Sequence, residues 1–223
     1  MNIDTIQLDY GGVVADHYSE PYLGYLASEL GVTRKGARGL LSEQSPHGRL
    51  YRLDQLSKEA FWEEVRKLAP RKDFDDDTVQ ELWAKTYIPN AAVLSLLTYL
   101  RAECGIQIGI VMNEDRWRYR YILETYRLDS CVDVIVVSFE VGTLKPEAAM
   151  SEAILRLSNR LPSPGSVLYI DDRQSHVDAA VRAGMQGYRH VNAGELSTYI
   201  AELMEAGHLQ PATDIRRSES PLR

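Results

Sequence analysis

Five short runs of apolar, largely β-branched residues punctuate the chain, at 3–8, 106–111, 132–137, 167–170 and, more weakly, 187–191. Their branching and their flanking Gly, Asp or Asn residues favour buried strands over helices. Between the later runs the apolar positions recur at helical spacing, over 91–101, 116–126, 147–157 and 176–183. Gly105 and Gly184 stand where two of these helices should stop. Alternation of this kind predicts an α/β fold: a doubly wound parallel sheet with helices on both faces.

Nearly a hundred residues separate the first two runs, far too many for a crossover of one helix. Most of this stretch has helical periodicity, at 22–30, 34–41, 58–68 and 78–87. Ser57 is a helix cap ahead of Lys58, and Pro70 closes that helix. The pattern therefore divides the chain into a core (1–15 and 91–207), an inserted helical cap (16–90) and a polar tail (208–223).

Composition narrows the function classes. Of the 223 residues, 44% are hydrophobic and 26% charged, which excludes disordered and fibrous chains. No apolar run reaches the ~18 residues of a membrane span, and the N-terminus lacks a basic start and an apolar signal core. Cys104 and Cys131 are isolated, which suits a reducing cytoplasm better than a disulfide framework or a zinc site. The net charge of -7 argues against a nucleic-acid binder, and an anionic substrate would need local cations or a metal. The acids of 73–77 belong to a solvated loop and the first turn of the next helix. The basic, aromatic stretch 116–121 is expected to be a crossover helix with packed rings and solvated arginines, not a stacking platform for bases. Tyr18, Tyr22 and Tyr25 share one helix face, either cap core or substrate-facing surface.

Four stations carry candidate chemistry. The first run ends in Asp9-Tyr10-Gly11-Gly12, an acid at the carboxyl end of a strand followed by glycines that let the backbone turn tightly. The fourth run ends in Asp171-Asp172. Adjacent carboxylates repel, so a hard cation such as magnesium is their natural partner. Lys145, ahead of Pro146 and the helix near Glu147, could neutralise a phosphoryl group or position Asp9. Asn113 follows the second run and could donate to an oxyanion or cap the next helix.

In this order, Asp9, Asn113, Lys145 and Asp171-Asp172 resemble the motifs of the haloacid dehalogenase-like hydrolases, specifically the phosphatase branch whose first motif reads Asp-x-Gly-Gly/Asn-Val. The resemblance implies a Rossmann-like core with a helical cap and the first strand between the second and fourth. It implies a magnesium-dependent phosphatase acting on a small phosphorylated metabolite, with Asp9 as nucleophile and an aspartyl-phosphate intermediate. Asp9, the Gly11 carbonyl, Asp171 and Asp172 would hold Mg2+; Lys145 would balance charge; Asn113, Lys145 and Gly12 would meet the substrate. Neither a nucleic acid nor a membrane is an expected partner.

Three positions depart from the pattern. Gly11 stands where most superfamily phosphatases have a general acid, a loss typically worth ~10²–10⁴ in rate. Met112 replaces a phosphoryl-binding Ser or Thr and has no donor. His176 stands where relatives often have Asn and is expected on a helix surface. These departures motivate one alternative, a weakened relative that binds a phosphorylated ligand or a partner. A second alternative is a metal-free dehalogenase in which Asp9 attacks carbon.

Overall fold

The computed structural model describes residues 2–17, 19–158 and 163–209. Five parallel strands form the central sheet: β1 (Thr5–Asp9), β4 (Gln107–Met112), β5 (Val134–Val137), β6 (Val167–Asp171) and β7 (Gln186–Arg189), in the order β5-β4-β1-β6-β7. The expected strands are present, with β1 between β4 and β6, and the last is shorter than its sequence run. A two-stranded stem, β2 (Ala15–Asp16) against β3 (Ile88–Pro89), ties together the entry and exit of the cap.

Cap helices are α1 (Tyr22–Leu30), α2 (Arg34–Leu41), α3 (Pro46–Arg52), α4 (Lys58–Leu68) and α5 (Asp76–Ala84). The core adds α6 (Ala91–Glu103), α7 (Arg116–Tyr126), α8 (Ser138–Val141), α9 (Ala148–Leu157), α10 (Gln174–Arg182) and α11 (Ala193–Glu205). The short α3 and α8 and the C-terminal α11 were not expected from periodicity. Ser57 caps α4 as predicted, its hydroxyl accepting from Ala60 N at 3.2 Å. Asp75 caps α5, with Asp76 and Asp77 in its first turn. No helix of the described residues is long and apolar enough to cross a membrane.

Strand alternation decides what each face of the sheet carries. Ile6 and Leu8 of β1, Ile108, Ile110 and Met112 of β4, and Leu168 and Ile170 of β6 pack with α6, α7 and α11. The intervening Val111, Val167 and Tyr169 pack with α9 and α10. In register, Asp9 lies opposite Val111 and Leu8 opposite Ile170. Asp9, Val111 and Asp171 therefore share the α9–α10 face at the carboxyl ends of three neighbouring strands. The core also reaches past the predicted boundary at 207: Leu209 is buried in the same cluster as β1, and Ile3 N donates to His208 O at 2.9 Å. Residues 210–223, most of the predicted tail, and Tyr18 lie outside the described residues.

The cap has its own apolar centre. Phe61 stacks on Tyr51 with ring centres 4.3 Å apart and meets Trp62 and Trp83 at 5.0 and 5.7 Å. The buried Gln80 accepts from Trp62 Nε1 at 2.7 Å. Tyr25 is exposed and Tyr22 lies under Lys85, so these two tyrosines belong to the cap surface rather than its core.

Candidate active site

Lys145 is the centre of the site. Its buried ammonium donates to Asp9 Oδ1, to the Val111 carbonyl at 3.0 Å and to Asp171 Oδ2 at 3.5 Å. These are the three same-face positions that the strand register brings together. Two backbone bonds with Asn113 hold the lysine: Lys145 N donates to Asn113 Oδ1 at 2.8 Å, and Asn113 Nδ2 donates to Lys145 O at 3.2 Å. The Asn113 amide is thus turned onto Lys145. It does not cap α7; Asp115 does, accepting from Trp117 N and Arg118 N.

The two adjacent acids of the fourth run diverge because successive residues at a strand end point to opposite sides. Asp171 is fully buried and accepts from Tyr169 Oη at 2.8 Å and Arg173 N at 3.0 Å, besides Lys145. His176 Nδ1 lies 3.0 Å away; this histidine is buried on Asp171, not exposed on the helix surface as expected. Asp172 turns instead to the first-motif loop. Its Oδ2 lies 3.0 Å from His17 Nε2, and its buried Oδ1 has no hydrogen-bond partner among the described residues.

Both glycines of the first motif are required by close approach. Gly12 has φ +88, and a Cβ there would run into the His17 ring and come within 2.9 Å of Asp172 Cγ. A Cβ on Gly11 would come within 2.6 Å of the Tyr87 ring. The space a side chain at 11 would need is filled by the aromatic end of the cap stem.

Charge follows the geometry. Burial pushes the Asp9 carboxyl up to about 6, with Lys145 opposing and Asp171 and Asp172 adding. Burial also works to raise Asp171, but Lys145 and His176 outweigh it and hold that carboxyl well below the usual range. Lys145 is raised, since Asp9 and Asp171 outweigh its burial. Asp9, Asp171 and His176 offer ligand atoms within 4.8 Å of one another. However, Asp171 already serves several donors and His176 Nδ1 faces Asp171. Asp172 Oδ1 is a further buried carboxylate oxygen without a hydrogen-bond partner among the described residues, and oxygen donors suit a hard cation such as magnesium.

A cavity of about 40 Å³ opens on Asp9 and Lys145 and is lined also by His17, Glu43, Tyr87, Met112, Asn113 and Glu114. Its far wall comes from the cap. Glu43, in the loop before α3, accepts from Arg173 at 2.5 Å and lies 3.7 Å from Arg52. Arg52 Nε donates to the Asn113 carbonyl at 3.1 Å. Arg49 of the cap meets Glu147, and Asp54 meets Arg116. The arginines of α7 are not all solvated: Arg118 is buried, 3.1 Å from Glu114 and over the rings of Trp83 and Tyr87.

Sequence reasoning missed His17, Glu43, Glu114 and Arg173. Glu114 and Arg173 directly follow two of the four stations and were legible as neighbours of strand ends. His17 and Glu43 carry no local signal.

Comparison with known proteins agrees with this architecture. Residues 51–189 match the family model of haloacid dehalogenase-like hydrolases. A stretch of 114 residues is 30% identical to an uncharacterised hydrolase of Schizosaccharomyces pombe; it covers 47% of this chain and 50% of that protein. A HAD-like family hydrolase from Porphyromonas gingivalis has the same fold, with a TM-score of 0.73 and 20% identity over 92% of this chain and 98% of that one. A HAD-family enzyme from Bacteroides thetaiotaomicron, solved with magnesium and inorganic phosphate, superposes with a TM-score of 0.70 and 16% identity over 85% of this chain and 95% of that one. A dehalogenase solved as an intermediate complex gives 0.64 and 14%, covering 84% of each chain. With the family model spanning more than half its length, the chain belongs to the haloacid dehalogenase-like hydrolases.

Proposed function

We propose that this hydrolase is a magnesium-dependent phosphatase that acts on a small phosphorylated metabolite through an aspartyl-phosphate on Asp9. The observation that carries the reading is the meeting of Asp9 with Lys145 beside Asp172, whose buried Oδ1 lacks a partner among the described residues. A phosphate monoester dianion repels a carboxylate nucleophile, and the attack needs that charge neutralised. Lys145, fixed by Asn113 and by the Val111 carbonyl, supplies one positive charge beside the Asp9 carboxylate.

Asp9, the Gly11 carbonyl, Asp171 and Asp172 would hold Mg2+, with Asp171 also anchoring Lys145. Bound there, magnesium supplies Lewis-acid neutralisation of the phosphoryl oxygens. Gly12 lets the loop pass close to the phosphoryl group. Covalent catalysis then splits one displacement into two. The Bacteroides enzyme of this fold, solved with magnesium and phosphate, supports the reading. Two free thiols, Cys104 and Cys131, suit a cytoplasmic setting.

A 40 Å³ cavity accommodates roughly three waters. Movement of the cap to admit a phosphoester would break the Glu43–Arg173, Arg49–Glu147 and Asp54–Arg116 pairs, and closure would exclude solvent.

The test is a panel of phosphomonoesters and 2-haloacids, assayed with magnesium and with chelator, for the native chain, Asp9→Asn and Asp172→Ala. The expected result is phosphate release by the native chain with magnesium, abolished in Asp9→Asn and strongly reduced in Asp172→Ala. Undiminished release by Asp9→Asn refutes the covalent mechanism. Metal-free turnover of a haloacid assigns a dehalogenase. Binding without turnover assigns the weakened relative.

A further inference from the structure

Position 11 leaves the reaction without a proton donor, and the Tyr87 ring occupies the space where a side chain there would go. A donor must come from elsewhere in the cavity. His17 and His176 are held at 3.0 Å by Asp172 and Asp171. Glu43 is paired with Arg173; burial pushes its carboxyl up, but Arg52 and Arg173 outweigh this and lower it.

Glu114 is different. It follows Asn113 just beyond β4, and its backbone N donates to Ser138 Oγ at 3.1 Å, which fixes the residue to the core. The residue lines the same cavity as Asp9 and Lys145. The residue is 7% exposed, and its Oε2 makes no aligned hydrogen bond although Arg118 Nη1 lies 3.1 Å away. Burial without an aligned donor favours the protonated carboxyl, against the pull of Arg118 toward the charged form.

Burial raises Glu114 to about 7, with Arg118 and Arg52 opposing and Asp115 and Glu43 adding. Those groups face it from α7, α3 and the loop before α3, and the buried Tyr10 phenol faces it from the loop after β1. A carboxyl raised toward neutrality is suited to both giving and taking a proton, as exchange with a substrate requires.

We propose that Glu114 is the general acid and base of the phosphatase reaction, a proposal that rests on the reading given above. As an Asp9 carboxylate oxygen bonds to phosphorus, the bond from phosphorus to the leaving oxygen breaks and that oxygen takes the Glu114 proton. In the second half, the Glu114 carboxylate takes a proton from the water whose oxygen attacks phosphorus. The bond between Asp9 and phosphorus breaks, phosphate departs, and both carboxyl groups return to their starting states.

The test compares an alkyl with an aryl phosphomonoester, with magnesium, for the native chain and Glu114→Gln. An acid matters most for a poor leaving group. The variant should lose about 10²–10⁴-fold in kcat/KM on the alkyl ester and little on the aryl ester, and the limb near pH 7 in the alkyl profile should vanish. Equal losses on both esters, or an unchanged pH profile, overturn the proposal. Should the variant not fold, the native chain decides: its alkyl-to-aryl ratio must fall as pH rises through about 7, and a constant ratio overturns the assignment. Native protein that hydrolyses neither ester overturns the phosphatase reading and this proposal together. Asp9-dependent hydrolysis indifferent to Glu114 removes this proposal alone.

Discussion

At the carboxyl edge of the sheet the buried space is filled by charge: Asp9, Asp171 and Lys145 meet there, each set by the end of a strand or the loop beyond one. In the cap the same depth is filled by rings, with Phe61 at the centre of Tyr51, Trp62 and Trp83. The difference is one of tolerance. Apolar packing responds to volume, and its loss costs stability in proportion to the cavity left. A buried charge cluster responds to balance, since removing one partner strands the others. The edge should therefore be intolerant of isosteric changes that the cap would absorb.

Lys145→Met gives the largest effect. It keeps the stem but leaves Asp9 and Asp171 without their shared cation, so turnover should disappear and stability fall by about 3–5 kcal/mol in urea titration. A folded, active variant would mean that another cation serves the site. Phe61→Ala should cost a similar ~3–5 kcal/mol through the cavity it creates. It should spare turnover of a small phosphoester under conditions where the variant is folded. Lost chemistry there would mean that the cap core shapes the catalytic edge, contrary to the contrast drawn above.

Proton linkage distinguishes the regions more gently. Between about pH 4.5 and 7 the folded protein keeps a proton on Glu114 that the unfolded chain has released. Stability should therefore fall as pH rises through that window, by roughly 3 kcal/mol from this group, and Glu114→Gln should flatten the profile. Asp171 has the opposite sign: its contribution is present above the ordinary carboxylate range and is lost in strong acid. Smallest is Ser57→Ala, which removes the α4 cap bond and should cost about 1 kcal/mol with no change in the pH profile of activity.

The two regions also differ in how much of them the sequence makes legible. Strand ends carry local signals, so Asp9, Asn113 and Asp171-Asp172 stand out as polar residues at the ends of apolar runs, and Lys145 as a cation just before a helix. Their grouping follows from parallel pairing and period-two alternation, which put Asp9, Val111 and Asp171 on one face. The same alternation separates Asp172 from Asp171, a consequence that the bare Asp-Asp pair conceals. Contacts between cap and core have no such marker. Glu43 and Arg173 are 130 residues apart, and Arg52 and Asn113 are 61 apart. Neither pairing leaves a periodic trace, because each depends on how the finished cap sits on the sheet. Arg118 shows the cost of reading charge as exposure. It lies in a basic stretch but is buried between Glu114 and two aromatic rings.

The central claim is that Asp9 carries the phosphoryl group. Acid quenching of the native chain during turnover of a phosphomonoester with magnesium, followed by peptide mass analysis, tests it directly. The account predicts a phosphoryl adduct on the peptide bearing Asp9, absent with chelator and absent in Asp9→Asn. Turnover with the adduct on another residue, or with a phosphoryl-bearing Asp9→Asn chain, would contradict it.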